Sequence, residues 1–392
     1  MNMKSILQQQ LERKGTNSVK WDGLERWFRL SDDVLPLWVA DIDIRTAPSI
    51  SEALAAKAAQ GEFGYTLFAP EAQKAVSDWY GRRHDLIVDP NHVLFSSGVV
   101  PALTHIVEAL TEVGDGVVIQ SPVYPPFHEL VVGSKRQVFD APLKKTDERY
   151  EMDFVALEEA MKQAKLFLLC SPHNPVGRVW TRAELEKVVA LANQYEVILV
   201  ADEIHADLTF PSHQHTAIGT LDPRVITVSA PSKAFNIAGL FASYIICPVD
   251  EWRKQITKVQ NKHHVLPTPF ANTAIIAAYT DNRAERWLDQ LREELEQQMN
   301  DVIDSIESNL PMLHTTRPEA SYLLWLDFSE LPMSAEERKS WLHHEVRIFL
   351  SPGGPFGPQG EAFERMNIGT RRELLDEAIH RLSAQMKRKA FV

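Results

Sequence analysis

Between residues 92 and 248, short and wholly apolar runs recur with amphipathic stretches between them. VLFSS (93–97), VVIQ (117–120), LFLLC (166–170), VILVA (197–201), VITVS (225–229) and YIIC (244–247) show almost no apolar–polar alternation. That is the pattern of strands covered on both faces. Helices are predicted between several of them. One opens at Thr181, with Glu184 three residues on and VVALA beyond it, a capping box leading into an amphipathic helix. The alternation predicts an α/β unit with a mostly parallel sheet. After about residue 250 the pattern changes. Leu288, Leu291, Leu295, Met299, Val302 and Ile306 recur at steps of three and four, the buried face of one long helix. YLLWLDF (322–328), RIFL (347–350) and ERMNIG (364–369), with helices around 334–345 and 371–390, predict a smaller α+β unit. Leu35, Pro36, Leu37 and Trp38 make the N-terminal segment too apolar for a free tail, yet it is too short to fold alone. It is expected to pack on the smaller unit. The expected division is a large α/β domain over 46–284 and a small α+β domain built from 1–45 and 285–392.

A length of 392 residues agrees with two or three domains of ~150 residues each. The composition, 44% hydrophobic and 24% charged, is that of a chain with a large core and excludes disordered or collagen-like classes. Lys and Arg number 41 against 53 Asp and Glu, a net charge of −12, so nucleic acid is not an expected partner. Cys170 and Cys247 each lie in an apolar run, which argues against a disulfide framework or a cysteine-based metal site and for a reduced, cytoplasmic setting. MNMKSILQQQLERKGT lacks the apolar stretch of a signal peptide, and nowhere do ~18 apolar residues run together, so neither export nor a membrane span is expected.

In an open parallel sheet, ligands gather beyond the C-terminal strand ends, and polar residues follow each apolar run here. After VLFSS come Gly98, Val99, Val100 and Pro101, then a helical stretch whose free N–H groups suit a phosphate. After VVIQ, Tyr124 stands in SPVYPPF, where its ring could stack on a planar ligand. After LFLLC, Pro172 and Pro175 stiffen the loop on either side of Asn174. After VILVA comes Asp202, a carboxylate that burial penalises unless a cation pairs with it, followed by Glu203, Ile204 and His205. After VITVS, Ser232 and Lys233 fall in a turn of small residues, where a lysine can lose its charge and act as a nucleophile. Taken alone, the other turns are plain structure at least as readily as a site, and only Asp202, a carboxylate ending an apolar strand, favours function by itself. Their order changes the reading, because Asn174, Asp202 and Lys233 are each about one β-α unit apart and so share one sheet edge. Pyridoxal phosphate requires such a set: a lysine for its aldehyde, a carboxylate for its pyridine nitrogen, donors for its phenolate oxygen, a helix N-terminus for its phosphate and an aromatic cover.

The sequence resembles fold-type-I pyridoxal-phosphate enzymes of the class I/II aminotransferase group, and more closely the MalY/PatB-type cystathionine β-lyases. The resemblance spans nearly the whole chain. It rests on SVKWD (18–22), LPLWVADIDIRTAP (35–48), GEFGYT (61–66), SSGVVPAL (96–103), SPVYPPF (121–127), CSPHNPVGRVW (170–180), ADEIHADL (201–208), SKAFNIAGL (232–240), SYLLWLDF (321–328) and FERMNIGTRR (363–372). It implies the fold-type-I fold and pyridoxal 5'-phosphate, with Lys233 as its covalent anchor, Asp202 on the pyridine nitrogen, Asn174 and His205 on the phenolate side and Tyr124 over the ring. Val99, Val100 and Ser232 would serve the phosphate, with Tyr65 reaching it from a second subunit of a homodimer with shared sites. Arg365 would clamp the substrate α-carboxylate, with Ala40 on the substrate side. In the broader group an arginine eight residues after the lysine holds the phosphate; here Phe241 stands there, a mark of the lyase subgroup.

The implied activity is α,β-elimination from L-cystathionine or related cysteine S-conjugates, with an amino-acid aminotransferase as the alternative. A nicotinamide dehydrogenase is rejected, since no GxGxxG follows a first strand and SPGGPFGPQG (351–360) is broken by proline. No metal site is expected: there is no HExxH, and His213 and His215 in SHQH read as solvated loop residues. A regulator's DNA-binding module finds no room, because family-like sequence starts by about residue 16.

Overall fold

The computed structural model describes residues 5–9 and 11–389. At its centre lies a seven-stranded sheet in the spatial order 93–96, 243–246, 226–229, 198–202, 164–170, 116–119, 137–140. Ser243–Ile246 runs antiparallel to both neighbours, and the other pairs are parallel. All six apolar runs form strands. The seventh, Gln137–Asp140, has only exposed or half-buried residues; it lies at the sheet edge and never acquires the apolar run that two-sided burial imposes. Along Ala164–Cys170 the side chains alternate between two cores: Leu166, Leu168 and Cys170 join one, Phe167 and Leu169 the other. Helix Val99–Leu110 covers the first face. Helix Arg182–Gln194, which opens with the Thr181–Glu184 capping box, covers the second.

A second sheet, antiparallel throughout, has the order 314–315, 323–327, 363–367, 351–352. Beside it pack helices Asn282–Asn309 and Arg372–Arg388, the first burying all six residues of the predicted apolar face. Helix Ala335–Trp341 runs into a wider turn over Leu342–Val346. The N-terminal segment joins this region: Leu35–Pro36 pairs in parallel with Ile348–Phe349. Residues 1–4, 10 and 390–392 of the expected small domain lie outside the described residues. One continuous core takes in Leu37 and Ile42 from the N-terminal segment, Trp79 and Phe235 beside the large sheet, and Leu288 and Leu375 from the later helices. Among the described residues no helix is long and apolar enough to cross a membrane.

One expectation is corrected. His213 is exposed, but the His215 side chain is only 3% exposed; it packs edge-on against His84 at 5.5 Å and faces the buried Glu203 carboxylate. A polar loop sequence concealed a residue that the buried 203–207 turn draws inward.

Candidate active site

Asn174, Asp202 and Lys233 follow three adjacent parallel strands. Cys170 lies opposite Asp202, and Asp202 opposite Val228, so the register brings the three strand ends to one edge. A cavity of about 250 Å³ opens there. Asn174, Asp202, His205, Ser232 and Lys233 line it from the strand ends, and Val99, Val100, Tyr124 and Ala40 are among the other residues of its wall. Arg365 stands behind that wall, donating from Nη1 to Asn174 Oδ1 at 3.1 Å. Tyr65 is not brought to this cavity: its side chain is fully exposed, between helices Pro48–Gln60 and Pro70–His84.

The polar groups are held in perturbed states. Asp202 is buried, and burial pushes its carboxyl up to about 7 against the opposing pull of the Ile204 N–H, at 3.0 Å, and the Lys233 charge. Lys233 Nζ donates to the Ala40 carbonyl at 2.7 Å. Burial and the nearby Arg365 charge lower this amine to about 8, against the attraction of Asp41 and Asp202. Burial, then the charges of Lys233 and Arg365, bring His205 down to about 3, so it is neutral, and its Nδ1 has no hydrogen-bond partner. Arg365 Nη2 donates to Trp38 O at 3.2 Å and to Ser351 Oγ at 3.3 Å, while Nε is buried without a partner. Burial lowers this guanidinium to about 10, still charged at neutral pH. The Tyr124 hydroxyl is raised by burial and stays protonated.

Helix Val99–Leu110 begins at the cavity wall after Gly98, with no side chain capping it. Its first-turn N–H groups have no intrahelical acceptor and are open to an anion. Phe241 also lines the cavity, 65% exposed and with φ at +52°, a left-handed conformation that a bulky residue adopts only under constraint.

Sequence reasoning missed the wall residues Cys170, Ile204 and Ser243, and also Tyr322, whose hydroxyl donates to the same Ala40 carbonyl at 3.0 Å. Tyr322 stood in SYLLWLDF, where an apolar run hides a polar role. The signal that could have found it was a tyrosine hydroxyl inside a stretch that must be buried, since such a group needs an acceptor.

The family model described as aminotransferase class I and II matches residues 32–382. The chain belongs to this family. Among curated proteins, it is 40% identical to cystathionine beta-lyase PatB of Bacillus subtilis (strain 168) over 383 residues, covering 96% of this chain and 98% of the relative. It is 31% identical to protein MalY of Escherichia coli (strain K12), covering 94% and 95%. Of solved structures, cystalysin from Treponema denticola, whose crystals contain pyridoxal 5'-phosphate, superposes with a TM-score of 0.92 at 33% identity, covering 96% of this chain and 98% of that one. The two sheets described above are thus the fold-type-I architecture of the class I and II aminotransferases.

Proposed function

We propose that the chain is a pyridoxal-phosphate-dependent carbon–sulfur lyase that converts L-cystathionine or related cysteine S-conjugates to pyruvate, ammonia and a thiol. The observation that carries the reading is the buried Asp202 carboxylate, without a cationic hydrogen-bond partner, on the same cavity as the lowered amine of Lys233. A ring with a protonated nitrogen would supply the cation that this carboxylate lacks. The unpartnered His205 Nδ1 and the uncapped helix at Val99 fit the remaining polar groups of the cofactor. Similarity to PatB and MalY favours elimination over amino transfer.

Bound there, pyridoxal phosphate supplies an electron sink for the charge left at the substrate α-carbon. Val99 and Val100 N–H groups and the Ser232 hydroxyl would hold the phosphate. Asn174 and His205 would hold the phenolate side, Tyr124 would cover the ring, and Lys233 would be the covalent anchor. The charged Arg365 binds the substrate α-carboxylate beside Ala40, which orients the α-hydrogen toward Lys233. Lys233 Nζ, released when the substrate amine takes its place and then neutral, would take that proton as general base. The Cβ–S bond then breaks, the electron pair leaves with the sulfur as a thiolate that is protonated to the thiol, and the three-carbon enamine left over takes up water to give pyruvate and ammonia.

The reading includes a cofactor-binding domain over 46–284, a small domain from 1–45 and 285–392, a cytoplasmic setting and a homodimer in which Tyr65 serves the other subunit's phosphate. Full exposure of Tyr65 beside exposed Phe63 and Leu67 supports the last point. The test is cystathionine without any ketoacid. The lyase releases pyruvate and homocysteine in equal amounts over many turnovers. An aminotransferase instead stops after about one turnover and resumes when a ketoacid is added.

A further inference from the structure

The segment from Trp38 to Ile44 crosses the site between its two halves, and its backbone carbonyls are claimed by side chains on both sides. Lys233 and Tyr322 donate to Ala40 O. Arg365 donates to Trp38 O. The two candidate reactive cations are therefore tied to carbonyls two residues apart on one strap.

Two asparagines fix that strap. Asn236, three residues beyond Lys233 on the same turn, accepts from Ile42 N at 3.1 Å and donates from Nδ2 to Ile42 O and Ile44 O, each at 2.8 Å. Asn367, two residues beyond Arg365 on the same strand and fully buried, donates from Nδ2 to Val39 O and, at 2.7 Å, to Asp41 O. Its Oδ1 accepts from Gly369 N at 2.7 Å. Each reactive cation thus sits on an element that also carries an asparagine clamped to the strap.

We propose that Asn236 and Asn367 are positioning residues which, acting through the strap, set the relative placement of the base Lys233 and the carboxylate clamp Arg365. Neither asparagine lines the cavity, so neither is a catalytic residue. Their side-chain amides satisfy carbonyls that flank Ala40 on both sides, and the Ala40 carbonyl is thereby held where it receives the lysine ammonium. A hydrogen bond to the charged form of an amine favours that form. Fixing this carbonyl therefore holds the lysine amine higher than burial alone would leave it, and keeps it at one place between proton transfers. The inference rests on the lysine chemistry proposed above.

The test uses Asn236→Gly, which removes the amide while tolerating the φ of +54° at this position, and Asn367→Ser. Two readouts are taken on the full-length chain. In the holoenzyme, kcat and KM with cystathionine are separated; kcat is expected to fall about tenfold to a hundredfold, the scale of a small misplacement of a reacting group. In the chain freed of cofactor, the pH dependence of Lys233 acylation by pulsed acetic anhydride is followed by mass spectrometry. Its midpoint is expected to move down by about half a unit or more, the worth of one ordinary hydrogen bond. A purely structural role lowers the melting temperature of the variants and leaves the Lys233 midpoint at its wild-type value; that result overturns the proposal. If one variant does not fold, the other, acting from the opposite side of the strap, decides. Should wild-type enzyme fail to release pyruvate, the lyase reading falls, while the acylation midpoint still tests the strap.

Discussion

Asp202 ends a strand and Asp207 lies five residues on, and burial acts on both, yet their surroundings drive them in opposite directions. Asp202 is pushed up to about 7. Because the folded chain binds this proton more tightly than the unfolded one, stability falls as pH rises from about 4 to about 7 and stays lower above that range. In cofactor-free protein Asp202→Asn should therefore melt higher than wild type at pH 8, by up to a few kcal/mol, with the advantage gone near pH 4; the same change should weaken cofactor binding. Burial would raise Asp207 too, but the His84 bond at 2.8 Å, with the Arg83 charge and the Trp79 N–H, holds it below the ordinary carboxylate range. Its contribution is present above about pH 4 and is lost as pH falls through the lowered value. Asp207→Asn should thus cost about 3 kcal/mol at pH 8, as expected when one partner of a buried pair is removed. Thermal melts of the two variants at pH 8 must move in opposite directions. Asp202 was legible in the sequence because a carboxylate ended an apolar strand. Asp207 was not, because its partners His84 and Trp79 come from a helix more than 120 positions away.

At the scale of elements, the loop 171–178 places Asn174 against Arg365, and Gly177 is the residue that lets it close. Gly177 has φ of +71°, and a Cβ there would lie 2.2 Å from Pro318 Cβ. Its N–H donates to His173 O at 2.7 Å and its carbonyl accepts from Glu319 N at 2.8 Å, so the backbone has little room to retreat. Gly177→Ala should cost about 3 kcal/mol, combining left-handed strain with a forced contact, and should lower kcat/KM through the Asn174–Arg365 contact. A melting curve and steady-state kinetics check both. The strands themselves were readable because continuous apolar runs and proline-bounded loops are local signals. The edge strand 137–140 and the strap were not, since the first lacks two-sided burial and the second is ordered by side chains from distant parts of the chain.

At the scale of the whole molecule, the cavity is built from strand ends, a helix start and the strap, with Arg365 behind its wall, all in one chain, while Tyr65 is fully exposed. Mixing Tyr65→Phe and Lys233→Ala subunits tests whether a second copy completes the site. If Tyr65 acts across an interface, one of the two sites in a mixed dimer carries both lesions and the other is intact, so activity rises above that of either variant. No recovery after proven subunit exchange places Tyr65 outside any shared site. That the chain would form a mostly parallel sheet and a smaller α+β unit followed from periodicity, but the strand order of each sheet and their apposition around one strap required contacts that no sequence window contains.

The strap also dictates when in the life of the chain a working site can exist. Val39 emerges early from the ribosome, but Asn367, which grips it, lies 328 positions later. At synthesis rates of about 5–20 residues per second, the Leu35–Trp38 stretch waits for tens of seconds with its apolar side chains uncovered. The nascent protein can complete its central sheet in that interval, with Lys233 and Asn236 already able to reach the strap, but the contacts from Arg365 and Asn367 are still missing. A complete site therefore exists only once the strand that carries Arg365 and Asn367 has been made.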